Sequence, residues 1–336
     1  MWRAEWTLGV CASCVAVGAL VASRPDAPVA VDLQVAVERV HASCLADTSG
    51  ANAAYIPALA EADPASFGVV VVTVEGELYG AGDVDVPFAI MSAAKPFTAA
   101  LLLDELGPVE LAERIGVEPT GQPFNSILAI EQHEQRAVNP MVNAGAIAAV
   151  SLLAGTGVED RWERILGTYS AFAGRELELM EGVLASVSST NHRNRAIANL
   201  LRDYGRLGCD PAEALEVYNR QSCVAVTAED LAWMGATLAA GGVHPRTGER
   251  AMRREHVDEV LALMCMAGLY DEAGAWAYTV GLPAKSGVGG GVVAVVPGRL
   301  AIAAFSPRLN TSGNSVRATA AVRQLAEELE LSLFHP

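Results

Sequence analysis

Ser92 and Lys95 stand three residues apart in Phe88-Ala-Ile-Met-Ser92-Ala-Ala-Lys95-Pro96, where an apolar run gives way to a helical one. A serine hydroxyl ionises far above neutral pH and needs a neighbouring base before it can attack a carbonyl carbon. Lysine becomes that base when burial strips its proton, whereas arginine keeps its charge in any protein setting. Of the chain's 23 basic residues only Lys95 and Lys285 are lysine, and the rest are arginine. A chain that puts arginine at almost every cationic position and still keeps two lysines marks two places where lysine chemistry is wanted. The second opens Lys285-Ser286-Gly287, which matches the Lys-Thr-Gly that accompanies Ser-x-x-Lys in penicillin-recognising enzymes. No Ser-His-Asp arrangement competes with this pair. His133, His192 and His244 fall in polar stretches and read as solvated side chains. The chemistry these residue types support is acyl transfer through Ser92, with Lys95 taking its proton.

The elements around this pair follow in chain order. Apolar residues at helical spacing predict a helix over 31–46, and Tyr55-Ile56-Pro57-Ala58-Leu59 reads as a loop. The β-branched run Phe67–Val74, the turn Glu75-Gly76-Glu77 and Leu78-Tyr79-Gly80 predict a hairpin. Pro96 removes the donor that the Ser92 carbonyl would use, so the next helix should begin at or just after Ser92. That places the Ser92 hydroxyl beside unpaired N–H groups at the positive end of a helix, with Lys95 on the same face. Helical segments broken by loops fill 107–267, among them a clear helix over Asp230–Ala240. Strand character returns in Val292–Val296 and Leu300–Phe305 around the turn Pro297-Gly298-Arg299, and a helix over Ser315–Leu329 closes the sequence. The order predicts an α+β fold. A mostly antiparallel sheet is built from both ends of the chain (about 67–90 and 277–306), flanked by helices, with an all-helical lobe inserted between (about 92–270). The glycine-rich run after Lys285 is no phosphate-binding loop, because its lysine precedes the glycines.

Composition bounds the rest. With 336 residues, 51% of them hydrophobic and 18% charged, the chain has ample material for a globular core. A net charge of -16 argues against nucleic acid and against an anionic membrane surface. The six cysteines, Cys11, Cys14, Cys44, Cys209, Cys223 and Cys265, form no disulfide or zinc framework and read as incidental thiols of a reducing compartment. Thr7 to Ala22 carries no charge but is short of the roughly 20 residues a spanning helix needs. Glu5 offsets Arg3 ahead of it, so 1–30 reads as an apolar extension of a cytoplasmic protein, with export left open. The domain proper is 31–336.

Several stretches together resemble a known family, the serine-dependent glutaminases of the β-lactamase-like fold. They include Tyr55-Ile-Pro-Ala-Leu-Ala, Val86-Pro-Phe-Ala-Ile-Met-Ser92-Ala-Ala-Lys95, Glu118-Pro-Thr-Gly-Gln-Pro-Phe-Asn-Ser126 and Asn139-Pro-Met-Val-Asn143-Ala-Gly-Ala146. Arg193-Asn194, Tyr270-Asp271, Gly281-Leu-Pro-Ala-Lys-Ser-Gly-Val288-Gly and Gly313-Asn-Ser-Val316 follow in the same order. The resemblance implies hydrolysis of L-glutamine to L-glutamate and ammonia, with Ser92 as nucleophile and Lys95 as base. It implies an oxyanion hole from the backbone N–H groups of Ser92 and Val288, and substrate contacts from Asn143, Asn194 and Tyr218. Tyr270 and Tyr55 would flank Ser92 and pass protons to the departing ammonia, and Lys285 would keep the site electropositive. No cofactor and no metal is expected, and the resemblance implies a homo-oligomer, a homotetramer. On the residues alone, Asn143 would equally cap a helix, Tyr218 and Tyr270 would equally be core aromatics, and Asn139 before Pro140 is a turn residue.

Two positions depart from the family. Met91 stands where glutamine precedes the serine, and Val187 stands where a glutamate would pair with the substrate's α-ammonium. The departures keep two alternatives in view. One is the same chemistry on another amide, peptide or lactam. The other is a catalytically silent binding protein.

Overall fold

The computed structural model describes residues 32–335, so the expected 1–30 extension, with Cys11 and Cys14, lies outside the described residues. Five antiparallel strands form the main sheet. They are β1 (Gly68–Thr73), β2 (Leu78–Gly82), β6 (Ala284–Ser286), β7 (Gly291–Val296) and β8 (Leu300–Phe305), in the order β2-β1-β8-β7-β6. The first and last of these strands in sequence thus meet at the centre, with Val70 opposite Ala303 and Val72 opposite Ala301. Every residue of β1, β7 and β8 is buried, which is why these strands read as unbroken apolar runs rather than alternating ones.

Side groups along these strands alternate between two cores. Val69, Val71, Val292, Ala294, Ile302 and Ala304 face the helices Leu33–Cys44, Ala273–Thr279 and Val316–Glu328. Val70, Val72, Val293, Val295, Ala301 and Ala303 face the helical lobe through the helix Ala228–Ala239. That helix lies close on the sheet, because a Cβ at Gly235 would come within 2.6 Å of Val293 Cγ2 and 2.8 Å of Ala301 Cβ. Its N-terminus is locked by Thr227 and Asp230, which bond each other's backbone N–H groups, and Arg175 clamps both Asp230 oxygens at 2.6 and 2.5 Å.

Three details differ from the expectations. The lobe is not purely helical: its β4 (Glu178–Leu179) and β5 (Val224–Val226) form a small sheet with β3 (Phe88–Ala89), in the order β3-β5-β4, so Phe88–Ala89 pairs with the lobe and not with the main sheet. Residues Pro57–Ala60 form a short helix rather than a loop, because Pro57 sits in its first turn, where its ring already has the helical φ and no N–H is needed. His244 is fully buried rather than solvated; it stacks on Trp233 at 5.1 Å and accepts N–H bonds from Arg246 and Thr247. The described cysteines Cys44, Cys209, Cys223 and Cys265 are free thiols. Among the described residues no helix is long and apolar enough to cross a membrane.

Candidate active site

Ser92 sits in a 3-10 turn, Met91–Ala94, that runs directly into the helix Lys95–Arg114. Pro96 explains the join. It cannot donate to the Ser92 carbonyl, which instead takes the tighter bond from the Lys95 N–H. The turn is held from three sides. The Ile90 N–H bonds to Val224 O at 2.9 Å, and Phe88 stacks on Phe305 of the main sheet at 4.1 Å. Behind it, Tyr169 donates to Ala94 O at 3.1 Å, while the Thr98 hydroxyl lies 2.6 Å from that of Tyr169 and donates to Gln221 Oε1 at 2.5 Å.

Two non-glycine residues at this site have left-handed backbone, Met91 at φ 49° and Tyr270 at φ 58°. Such conformations cost about 1–3 kcal/mol each and persist where the surroundings over-determine them. Met91 is fixed by Gly287-Val288-Gly289, which crosses its backbone closely. A Cβ at Gly289 would fall 2.1 Å from Ala89 O, and one at Gly287 would fall 2.6 Å from Ile90 O and 3.2 Å from the Ser92 nitrogen. The crossing puts the backbone of Val288 beside that of Ser92. Neither N–H finds an acceptor among the described residues, which leaves two free donors next to one hydroxyl.

Lys95 is buried and donates to Asn143 Oδ1 at 2.7 Å. Burial alone pulls its pKa from the ordinary 10.5 down to about 7, so near neutral pH much of it is a free amine. Asn143 is the first residue of the helix Asn143–Leu152, and its side chain does not cap that helix. It spans from Lys95 to Asn194, donating to Asn194 Oδ1 at 3.0 Å. Asn139 is the turn residue expected: its Oδ1 accepts the Met141 N–H at 2.9 Å. Gly145 lets this turn close on the helix, since a Cβ there would lie 1.8 Å from Asn139 O.

Lys285 lies buried on β6, donating to Gly268 O at 2.7 Å and Ser286 O at 2.8 Å, with its Nζ 4.2 Å from the Tyr270 ring centroid. Burial, and then the nearness of Lys95, hold its pKa well below the ordinary value. Tyr270 donates to Ser286 O at 3.1 Å. Burial raises its pKa, and the nearby Ser92 hydroxyl opposes that rise. Tyr218, on the helix Pro211–Ser222, is buried in the same wall, and its pKa is raised by burial first and by Tyr270 and Tyr55 after it. Tyr55 stands at the mouth, 60% exposed.

A cavity of about 890 Å³ opens over Ser92. Ser92, Asn143, Asn194, Tyr218, Val288 and Tyr55 all line it, together with Met91 and Val187. Lys95, Lys285 and Tyr270 stand outside that lining, and Asn143 links Lys95 to it. Sequence reasoning missed Phe124, whose ring packs tilted against Tyr270 with centroids 4.7 Å apart, and Arg193, whose Nε donates to Asn125 O at 2.7 Å at the rim. Both belong to stretches already singled out, but nothing in their local pattern shows that the two loops converge. Among the described residues no cluster of side groups could hold a metal ion.

The family model for glutaminases matches residues 50–334. The chain is 54% identical over 286 residues to a glutaminase of Mycobacterium ulcerans, covering 85% of this chain and 89% of that one. It is 52% identical over 288 residues to a glutaminase of Colwellia psychrerythraea, covering 86% and 93%. Among solved structures it is similar to the probable glutaminase ybaS, with a TM-score of 0.89, 46% identity, and coverage of 90% of this protein and 98% of that one. It is also similar to the Bacillus subtilis glutaminase YbgJ, solved as a covalent complex with 5-oxo-L-norleucine, with a TM-score of 0.81, 29% identity, and coverage of 90% and 100%.

Proposed function

The chain belongs to the glutaminase family and has its β-lactamase-like fold, and on that premise we propose that it hydrolyses the side-chain amide of L-glutamine to L-glutamate and ammonia through an acyl-enzyme on Ser92. The observation that carries the reading is the buried Lys95, with its pKa near 7, in the turn that presents Ser92 to the cavity. Lys95 takes the Ser92 proton as Oγ attacks the amide carbon. The free N–H groups of Ser92 and Val288 receive the negative charge that develops on the amide oxygen. Tyr270, near the Ser92 hydroxyl, passes a proton to the leaving nitrogen, with Tyr55 at the mouth as its partner, and ammonia departs. Water then releases glutamate by the reverse route. Asn143 and Asn194 present amide groups to the substrate's amino-acid end, Tyr218 packs beside them, and Lys285 keeps the neighbouring potential positive. That the B. subtilis relative forms a covalent complex by reaction with 6-diazo-5-oxo-L-norleucine supports covalent catalysis in this reading.

Ammonia release from glutamine by the purified protein, lost in Ser92→Ala and in Lys95→Ala, is the expected result. Full activity in Ser92→Ala overturns the mechanism. The finer expectations are a cytoplasmic location, read from the cysteines and the 1–30 stretch, and a homotetramer, implied by the resemblance; sedimentation of the purified protein tests the tetramer.

A further inference from the structure

The charge lining the cavity is one-sided. Among the described residues that line it, Arg193 is the only charged one, and no aspartate or glutamate reaches it. Glu272 is engaged by Asn310 of the lining and by Asn314, and it stays outside the lining. Free glutamine carries an α-carboxylate and an α-ammonium. Arg193 suits the first; nothing ionic answers the second, and a cation brought into a partly buried site without a counter-charge loses hydration that it does not recover. The wall instead offers a continuous apolar surface: Ile56, Met91, Val187, Val288 and Leu309 all line the cavity and pack into one cluster. The volume, about 890 Å³, lies near the top of the roughly 300–1,000 Å³ range of small-molecule sites, far more than one amino acid fills.

We infer that this site takes α-N-acylated L-glutamine, in which an amide replaces the α-ammonium and an acyl group covers the apolar wall, in preference to the free amino acid. The inference rests on the glutaminase reading above and leaves its chemistry unchanged. The C–N bond of the substrate's γ-carboxamide breaks, the Ser92 Oγ–carbon bond forms, ammonia leaves with the relayed proton, and water yields the N-acyl-glutamate. The free carboxylate stays with Arg193, and the acyl tail lies along Met91 and Val187.

The test is ammonia release by the native full-length protein from L-glutamine, N-acetyl-L-glutamine, N-hexanoyl-L-glutamine and glycyl-L-glutamine. The expected kcat/KM for N-hexanoyl-L-glutamine exceeds that for glutamine by tenfold or more, chiefly through a lower KM. A glycyl-L-glutamine value above that of N-hexanoyl-L-glutamine would assign the preference to peptides and overturn the role of the apolar wall. Glutamine turned over as well as or better than every blocked form overturns the inference and leaves the glutaminase reading standing. No ammonia from any of the four overturns both. Val187→Glu supplies the missing counter-charge and should move the ratio at least tenfold towards free glutamine. The native panel decides the question by itself if that variant does not fold.

Discussion

At the scale of single residues the proposed mechanism turns on the protonation of Lys95. Its pKa is drawn down to about 7 by burial, and only the neutral amine can accept the Ser92 proton. Activity should therefore rise with pH through about 7 and level off above it, a limb that an exposed lysine would place near its ordinary 10.5. A kcat/KM profile between pH 5 and 9 checks this, and a flat profile across neutrality would remove Lys95 as the base. Asn143 is the second sensitive residue, because it accepts from Lys95 and donates to Asn194 at once. Asn143→Leu leaves Lys95 buried without its acceptor, which should lower its pKa further and cost about 10²-fold in kcat/KM by misplacing the base and the substrate contact. The limb in that variant should move to lower pH, a displacement that a purely structural defect would not produce.

At the scale of elements the site depends on the crossing of Gly287-Val288-Gly289 over the turn at Met91. Gly289→Ala puts a methyl group 2.1 Å from Ala89 O, a backbone atom that cannot rotate away. Thermal unfolding should show a loss of about 1–3 kcal/mol, and ammonia release should fall with it as the Val288 N–H shifts. How legible such features are in sequence follows from their length and reach. The strands Gly68–Thr73, Gly291–Val296 and Leu300–Phe305 were readable because burial on both faces writes a run of apolar residues. A helix start close to Ser92 was readable because Pro96 cannot donate to the Ser92 carbonyl, and the α-helix begins at Lys95 after a 3-10 turn. Phe88–Ala89 and Glu178–Leu179 are too short for any periodicity to show, and only their pairing with Val224–Val226 makes them strands. His244 read as polar because the Trp233 that covers it is contributed by a separate helix. Ser92, Lys95 and Lys285 stood out by residue type, whereas Arg193 and Phe124 reach the site through loop convergence that no local pattern encodes.

At the scale of the whole molecule two buried lysines place a cost on the folded state. Lys95 has a lower pKa folded than unfolded, so between about 7 and 10.5 the unfolded state binds more protons. Unfolding takes up a proton in that window. Stability contributed by this group therefore rises as pH rises through it, and burial of Lys285 acts in the same direction. Lys95→Met should raise Tm most at or below pH 7 and lose that advantage towards pH 10, which unfolding scans of both proteins can show. In the proposed mechanism the sheet and the lobe beside it serve one arrangement, a serine made reactive by a lysine the fold has dried. Incubation of the protein with 6-diazo-5-oxo-L-norleucine, followed by peptide mapping, shows whether that serine reacts. The expected result is a stoichiometric adduct on the peptide carrying Ser92, formed faster as pH rises through about 7 and absent from Ser92→Ala. An adduct on any other residue, or none while ammonia release continues undiminished, would contradict it.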